Sequence, residues 1–467
     1  MKTFINTAFL LISTLLFSQE ITGDWNGILD AGGMKLEIGF TINEKEGKLS
    51  GHMDVPKQMA SKLPLNKVEF NNGELLLQLA MAGIEYTATL KDKTTFEGTF
   101  KQAGQKFPLN LNRGKVNVKK PNRPQEPKAP FPYSIEEISF INPIEKNKLS
   151  GTLTLPEGKG PFPAAILISG SGQQNRDSEV FGHKPFWVIA DYLSRNGIAV
   201  LRFDDRGVGD SDGDLEHATS ENFADDVIGG IQFLMTRKDI HPKKIGLIGH
   251  SEGGMIAPIA ASKSKEVAWM VLMAGLGTSG EKVLMDQTEL ISRASGLSEE
   301  QIAVSLKSNN VLYDIIKNVE DLNHRKEQLF MGLKESYDSN PQTAELEEIQ
   351  KNQLIEVQLN MISSPWFAYF LNYQPEKFLT GFKKPVLVIN GTLDLQVPYE
   401  ANTQGIKQAL EKGGNKKVTV TIFEKMNHLF QKSETGNLSE YEEIETTFEP
   451  EALEEILSWI KIQTNLK

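Results

Sequence analysis

Short runs of almost uninterrupted apolar residues recur along the later two thirds of the chain with helical stretches between them, and this alternation restricts the fold more than any other feature. Ala164–Ser169, Ile198–Phe203, Ile245–Gly249, Trp269–Ala274, Val386–Asn390 and Val418–Phe423 have the length and apolar content of strands. Phe186–Arg195 and Phe223–Thr236 carry helical spacing. A strand apolar on both sides must be covered on both faces, and helices that return over a parallel sheet provide that cover. A mostly parallel sheet with helices on both faces is therefore expected over residues 134–467.

From about Gly277 to Thr380 the alternation stops and helical patterns take over. One of them opens with Ser298-Glu299-Glu300-Gln301, a capping box in which the first and fourth side chains satisfy each other's free amides. The stretch is expected to be a helical cap inserted between two core strands. Upstream, segments such as Leu36–Phe40 and Tyr86–Leu90 alternate apolar and polar residues between Gly and Asn turns. They predict a small antiparallel β domain over residues 19–115, short for a complete eight-stranded barrel. Gly23-Asp24-Trp25 resembles the G-x-W entry of lipocalin-type barrels, which leaves ligand binding and a structural or docking role both open. Five prolines, Pro121, Pro124, Pro127, Pro130 and Pro132, favour extended backbone in residues 116–133, the expected linker.

The 467 residues suffice for more than one domain, and 39% hydrophobic with 24% charged residues is ordinary globular composition. With 50 Lys and Arg against 61 Asp and Glu, the net charge of -11 repels phosphate backbones, so no nucleic-acid partner is expected. Met1-Lys2, the apolar stretch Phe4–Phe17 and Ser18-Gln19 follow the order of a secretory signal peptide, too short for a comfortable membrane span. Cleavage near Ser18 and a secreted or periplasmic location are expected. The chain has no cysteine, so the fold must hold by burial alone.

Gly249-His250-Ser251-Glu252-Gly253 lies between the strand-like Ile245–Ile248 and the helix-compatible Met255–Ala260, in which Pro258 must fall in the first turns. G-x-S-x-G arises by chance on the order of 0.2 times in a chain of this length, so its place between strand and helix carries the weight. There a tight turn lifts the serine hydroxyl clear of the sheet, and the glycines remove side chains where strand and helix approach. A serine hydroxyl needs an imidazole to take its proton and an acid to orient that imidazole, here in the order Ser, acid, His.

Of seven histidines only His324 and His428 follow Ser251, and His324 sits in a polar stretch of the insertion. His428, after the strand Val418–Phe423, is the candidate base. Asp394 follows the strand Val386–Asn390 and is the candidate acid, ahead of Glu424, which sits at the end of the histidine's own strand. Two N–H donors are required for the oxyanion of acyl transfer. The amides of Glu252, after the nucleophile, and of Ser171, in Ser169-Gly170-Ser171-Gly172, are the candidates, with Gly172 able to replace Ser171.

These features together resemble the α/β-hydrolase superfamily, and within it the bacterial esterases with a serine-aminopeptidase-like hydrolase domain, from about Tyr133 to the end of the chain. The resemblance rests also on Asn175-Arg176-Asp177, on Asp205-Arg206-Gly207-Val208-Gly209-Asp210-Ser211 and on Pro365-Trp366-Phe367 with Phe370-Leu371 and Pro375. Where such relatives begin the first turn with His-Gly, this chain has Ser169. The resemblance implies a carboxylesterase for short or medium acyl esters, acting through an acyl-enzyme on Ser251 without cofactor or metal. Its expected partner is a small-molecule ester. A peptidase is the second enzymatic reading, with Glu345, Glu347 and Glu348 able to meet a free amine. The third is a hydrolase delivered to a glycan, lipid or protein by the β domain. Asp205-Arg206-Gly207 is expected to fix a loop, and Trp366, Phe367 and Phe370 either form cap core or line the pocket.

Overall fold

The computed structural model describes residues 21–31, 34–45, 47–55, 60–102, 105–115, 122–339, 343 and 348–466. The expected signal peptide, the first part of the expected linker, and Glu345 and Glu347 lie outside the described residues. The chain divides into two compact units, one drawn mainly from the residues up to 120 and the other mainly from those after it.

The first unit is one antiparallel sheet of ten strands. Its spatial order runs from Ala60–Pro64 through Lys48–Val55, Met34–Lys45, Gly23–Ala31, Leu111–Arg113, Thr95–Gln102, Ile84–Asp92 and Glu74–Leu79 to Lys67–Asn71, with Gln105–Pro108 paired to Thr95–Gln102. The region was expected to be short for a complete eight-stranded barrel; its ten strands, 3 to 12 residues long, form a sheet whose two end strands are not paired with each other among the described residues. Asn72 and Gly73, both at positive φ, close one hairpin in two residues. Alternate residues turn inward, and Trp25, Phe40, Tyr86, Phe96 and Phe100 form the core. Trp25 meets Phe96 edge-on at 4.5 Å between ring centroids and donates its indole N–H to the Ile21 carbonyl at 2.8 Å.

In the second unit eight strands form one sheet in the order Tyr133–Ile141, Lys148–Pro156, Ala199–Phe203, Phe162–Ile168, Ile240–His250, Met270–Met273, Val386–Gly391 and Val418–Phe423. The first two strands pair antiparallel, as do the second and third, and all later pairs are parallel. Strand periodicity separates two cores. Ala164, Ile166 and Ile168 face one side with residues of helices Ser220–Thr236, Gly253–Lys263 and Tyr399–Lys412, while Ala165 and Leu167 face the other with residues of helices Pro185–Arg195 and Pro450–Thr464. The apolar runs are continuous because both faces are dry.

Phe162–Ile168 lies between Ala199–Phe203 and Ile240–His250, so the chain leaves it toward one edge and later returns on its other side. Such a reversal opens a crevice at the carboxyl ends of the strands. Between Met270–Met273 and Val386–Gly391 lies a helical segment that includes Gly280–Ala294, Glu299–Asn318, Leu322–Ser339, Glu348–Ile362 and Pro365–Leu371. The capping box is present: Ser298 accepts from the Gln301 amide and the Gln301 side chain accepts from the Ser298 amide. Leu312, Leu329, Leu333, Leu359, Phe367 and Leu371 form a core of their own there.

Residues 122–133, expected to be linker, are held by side chains. The Arg123 guanidinium donates to the carbonyls of Phe181, Gly182, Glu442 and Ile444, and Gln125 bonds the backbone of Thr447 and Phe448. Proline content signalled extended backbone, and Arg123 and Gln125 fasten that backbone to the surface beneath it.

Candidate active site

Ser251 sits where the strand Ile240–His250 turns into the helix Gly253–Lys263, with φ at 56°. A left-handed non-glycine residue is strained and persists only where its surroundings impose it. Here the Ser251 amide is held by the Met273 carbonyl of the neighbouring strand at 2.9 Å. The close approach leaves no room for side chains beside it: a Cβ on Gly249 would fall 2.0 Å from the Gly253 oxygen, and one on Gly253 would fall 2.1 Å from the Ile168 oxygen. Pro258 falls in the second turn of the helix, where the bond it forgoes is the one to the Gly254 carbonyl.

Asp394 follows the strand Val386–Gly391 and is buried. Its Oδ1 accepts from the amides of Gln396 and Val397 at 2.9 and 2.8 Å, and its Oδ2 lies 2.8 Å from His428 Nδ1. That contact assigns the proton on Nδ1 and turns Nε2 outward as the acceptor. Glu424 is exposed, its carboxylate lying 3.5 Å from the Thr392 hydroxyl. The His428 loop is held from within: Asn427 Oδ1 accepts from the amides of Leu429 and Gln431, both at 3.0 Å. His250 Nε2 lies 2.8 Å from the His428 carbonyl oxygen, and burial pushes the His250 imidazole down to about 3, so it is neutral and donates there.

Ser251 and His428 line one cavity of about 320 Å³, together with Gly170 and Ser171 of the turn after Phe162–Ile168. No Asp, Glu, Lys or Arg side chain lines it among the described residues. Trp366 and Phe370 form part of its wall, whereas Phe367 packs into the core of the helical segment, so the aromatic cluster divides between the two roles. A larger groove of about 770 Å³ runs over Val311, His324 and Met331, and His324 itself is exposed.

The amides of Ser171 and Glu252 enter none of the backbone hydrogen bonds of turn and elbow among the described residues. The turn is buttressed by Asp205, whose carboxylate accepts from the Ser169 hydroxyl at 2.8 Å and the Gln174 amide at 3.0 Å. Ser169 thus anchors the turn to the next loop. Burial pushes the Asp205 carboxyl up to about 8. Arg206 and Arg176 fix loops: Arg206 bonds both oxygens of buried Asp226, and Arg176 bonds Asp204 at 2.7 Å. Glu252, wholly buried, accepts on one oxygen from the Ser220 hydroxyl at 2.6 Å and from the Trp366 indole at 2.8 Å. Burial pushes its carboxyl up. Sequence reasoning named only the Glu252 amide; the roles of its side chain, His250 and Asn427 carried no local signal.

The family described as "Serine aminopeptidase, S33" matches residues 186–434, more than half of the chain. Among curated proteins, the chain is 27% identical over 300 residues to the esterase EstD of Thermotoga maritima, covering 64% of this chain and 61% of that protein. It is 31% identical over 160 residues to the thiohydrolase aneE of Aspergillus aculeatus, covering 34% of this chain and 47% of that one. The chain therefore spans less than two thirds of the length of either relative. Among solved structures, the Pyrococcus furiosus esterase Pf2001 superposes with a TM-score of 0.43 at 18% identity, over 71% of this chain and 93% of that chain.

Proposed function

The chain belongs to the serine aminopeptidase S33 family of α/β-hydrolases, and from that premise we propose that it is a carboxylesterase for neutral esters of short or medium acyl chains. The observation that carries the substrate class is the cavity beside Ser251 and His428, walled by Val283, Leu284, Trp366 and Phe370 and free of ionised side chains among its described lining. Such a pocket favours an apolar acyl group and offers no carboxylate to a peptide's free amine. Glu348, one of three glutamates considered for that role, is exposed at the start of the helix Glu348–Ile362.

In the proposed reaction Ser251 Oγ attacks the acyl carbon while His428 Nε2 takes the hydroxyl proton, and the carbonyl π pair moves onto oxygen. The Ser171 and Glu252 amides receive the oxyanion, each such donor being worth about 2.7–4 kcal/mol of barrier. Collapse expels the alkoxide, which takes the proton from His428 and leaves an acyl-serine. Water, deprotonated by His428, then releases the carboxylic acid and restores Ser251. Asp394 keeps the imidazole in the required tautomer and stabilises it when charged. The helical segment acts as a cap over the acyl pocket through Trp366 and Phe370. The leader-like order of residues 1–18 supports a place beyond the cytoplasmic membrane.

The test is a graded series of 4-nitrophenyl esters beside N-terminally free and blocked peptide anilides, with Ser251→Ala as control. Ester turnover lost in Ser251→Ala is expected. Preference for free-amine peptides over every ester would replace the esterase with a peptidase.

A further inference from the structure

The residue after a nucleophilic serine is expected to contribute its amide, and its side chain commonly has no stake in the reaction. Here that side chain is a carboxylate about 1% exposed, and burying a carboxylate is costly unless donors compensate it. The donors come from two separate parts of the unit. Ser220 opens the helix Ser220–Thr236 of the sheet layer, and its hydroxyl lies 2.6 Å from Glu252 Oε1. Trp366 belongs to the helix Pro365–Leu371 of the insertion, and its indole nitrogen lies 2.8 Å from the same oxygen.

The tryptophan held this way is a wall of the acyl cavity, packed at 5.4 Å between ring centroids against Phe370, which lines the same cavity. Packing against Phe370 holds one side of the ring, and the bond to Glu252 fixes its one polar atom, the indole nitrogen. We infer that the Glu252 side chain is a positioning residue that tethers Trp366 as the stop at the end of the acyl pocket, so that the pair sets the upper limit of acyl chain length. This rests on the esterase reading for its substrate and on the hydrogen bonds from Ser220 and Trp366 to Glu252 for its geometry.

Releasing the stop lets longer chains enter, and each additional methylene buried is worth about fourfold in kcat/KM. The experiment compares 4-nitrophenyl butyrate and octanoate on wild type, Trp366→Phe, Glu252→Ala, the double variant and Glu252→Gln. Trp366→Phe keeps an aromatic ring but loses the indole donor. The octanoate-to-butyrate ratio is expected to rise about tenfold or more in Trp366→Phe and in Glu252→Ala. It should rise no further in the double variant, because the second change removes a bond already broken. Glu252→Gln retains an acceptor oxygen and is expected to keep the wild-type ratio. An unchanged ratio in Trp366→Phe, or independent and multiplying effects in the double variant, would overturn the inference while leaving the esterase reading intact.

If wild type hydrolyses no ester, the esterase reading falls and the tether is still measured directly. The Trp366 indole N–H resonance, assigned by its loss in Trp366→Phe, should move upfield in Glu252→Ala and stay near its wild-type position in Glu252→Gln. A resonance indifferent to both changes at Glu252 rejects the tether.

Discussion

His250 Nε2 lies 2.8 Å from the carbonyl oxygen of His428, and the two rings stand 4.7 Å apart. The residue before the nucleophile thus holds the backbone of the candidate base, across 178 positions of sequence. His250→Phe keeps the ring volume and removes the bond. One hydrogen bond of about 0.5–1.5 kcal/mol predicts a kcat lower by about 2- to 10-fold with little change in KM. Steady-state kinetics on a butyrate ester check it, and an unchanged kcat would mean that the loop needs no such support.

The same burial makes a pH prediction. His250 and His183 are pushed down to about 3 and about 4, below the value of about 6.5 they have when unfolded. The unfolded chain therefore binds more protons between those values, and stability falls as pH drops from about 6.5 toward 3. Urea unfolding of His250→Phe should show a shallower loss over this window than wild type; parallel curves would count against a neutral buried imidazole.

Asp205 gives the opposite slope. Its carboxyl is pushed up to about 8 against about 3.9 in the unfolded chain, so the folded state holds the extra proton between them. The associated stability is complete below about 4 and is lost as pH rises through about 8. Asp205→Asn can still accept from the Gln174 amide and can donate to Ser169, both of which Asp205 bonds. It is expected to match wild type near pH 4 and to exceed it increasingly toward pH 8. A constant difference across that range would show that Asp205 titrates normally.

Asp394→Asn tests the acid. An amide facing Nδ1 of His428 tends to donate rather than accept, favouring the tautomer that cannot take a proton on Nε2. The expected loss is about 10⁴-fold in kcat with the fold retained, as in serine proteases altered at the equivalent acid. Single-turnover kinetics with circular dichroism would check both parts, and a loss below about tenfold would remove Asp394 from the relay.

Arg206, about 1% exposed, binds Asp226, which is equally buried, and also Glu145 and the Asn222 carbonyl. Arg206→Met leaves the Asp226 carboxylate without its counter-charge, a change that typically costs about 3–5 kcal/mol. Denaturant unfolding is expected to show that loss, and Arg206→Met with Asp226→Leu should recover much of it. A single variant as stable as wild type would make the pair dispensable.

Near neighbours in sequence determined the alternation of strands and helices, the Ser298 capping box and the bend at Ser251, because apolar periodicity, capping and turn sterics act within a few residues. Asp394 and His428 were legible as candidates from their places after strands, since the loops leaving the strands of a parallel sheet gather at its carboxyl edge. The separation of Trp366 and Phe370 from Phe367 was not legible: helical spacing says which side chains share a face, and only packing says what that face meets. Nor could sequence show that Glu252 would bond Trp366 across 114 residues, or that Arg123 would fasten a proline-rich stretch. Those contacts join segments remote along the chain, and what selects them is the cost of leaving a polar group unpaired once the folded protein has buried it, which no local pattern encodes.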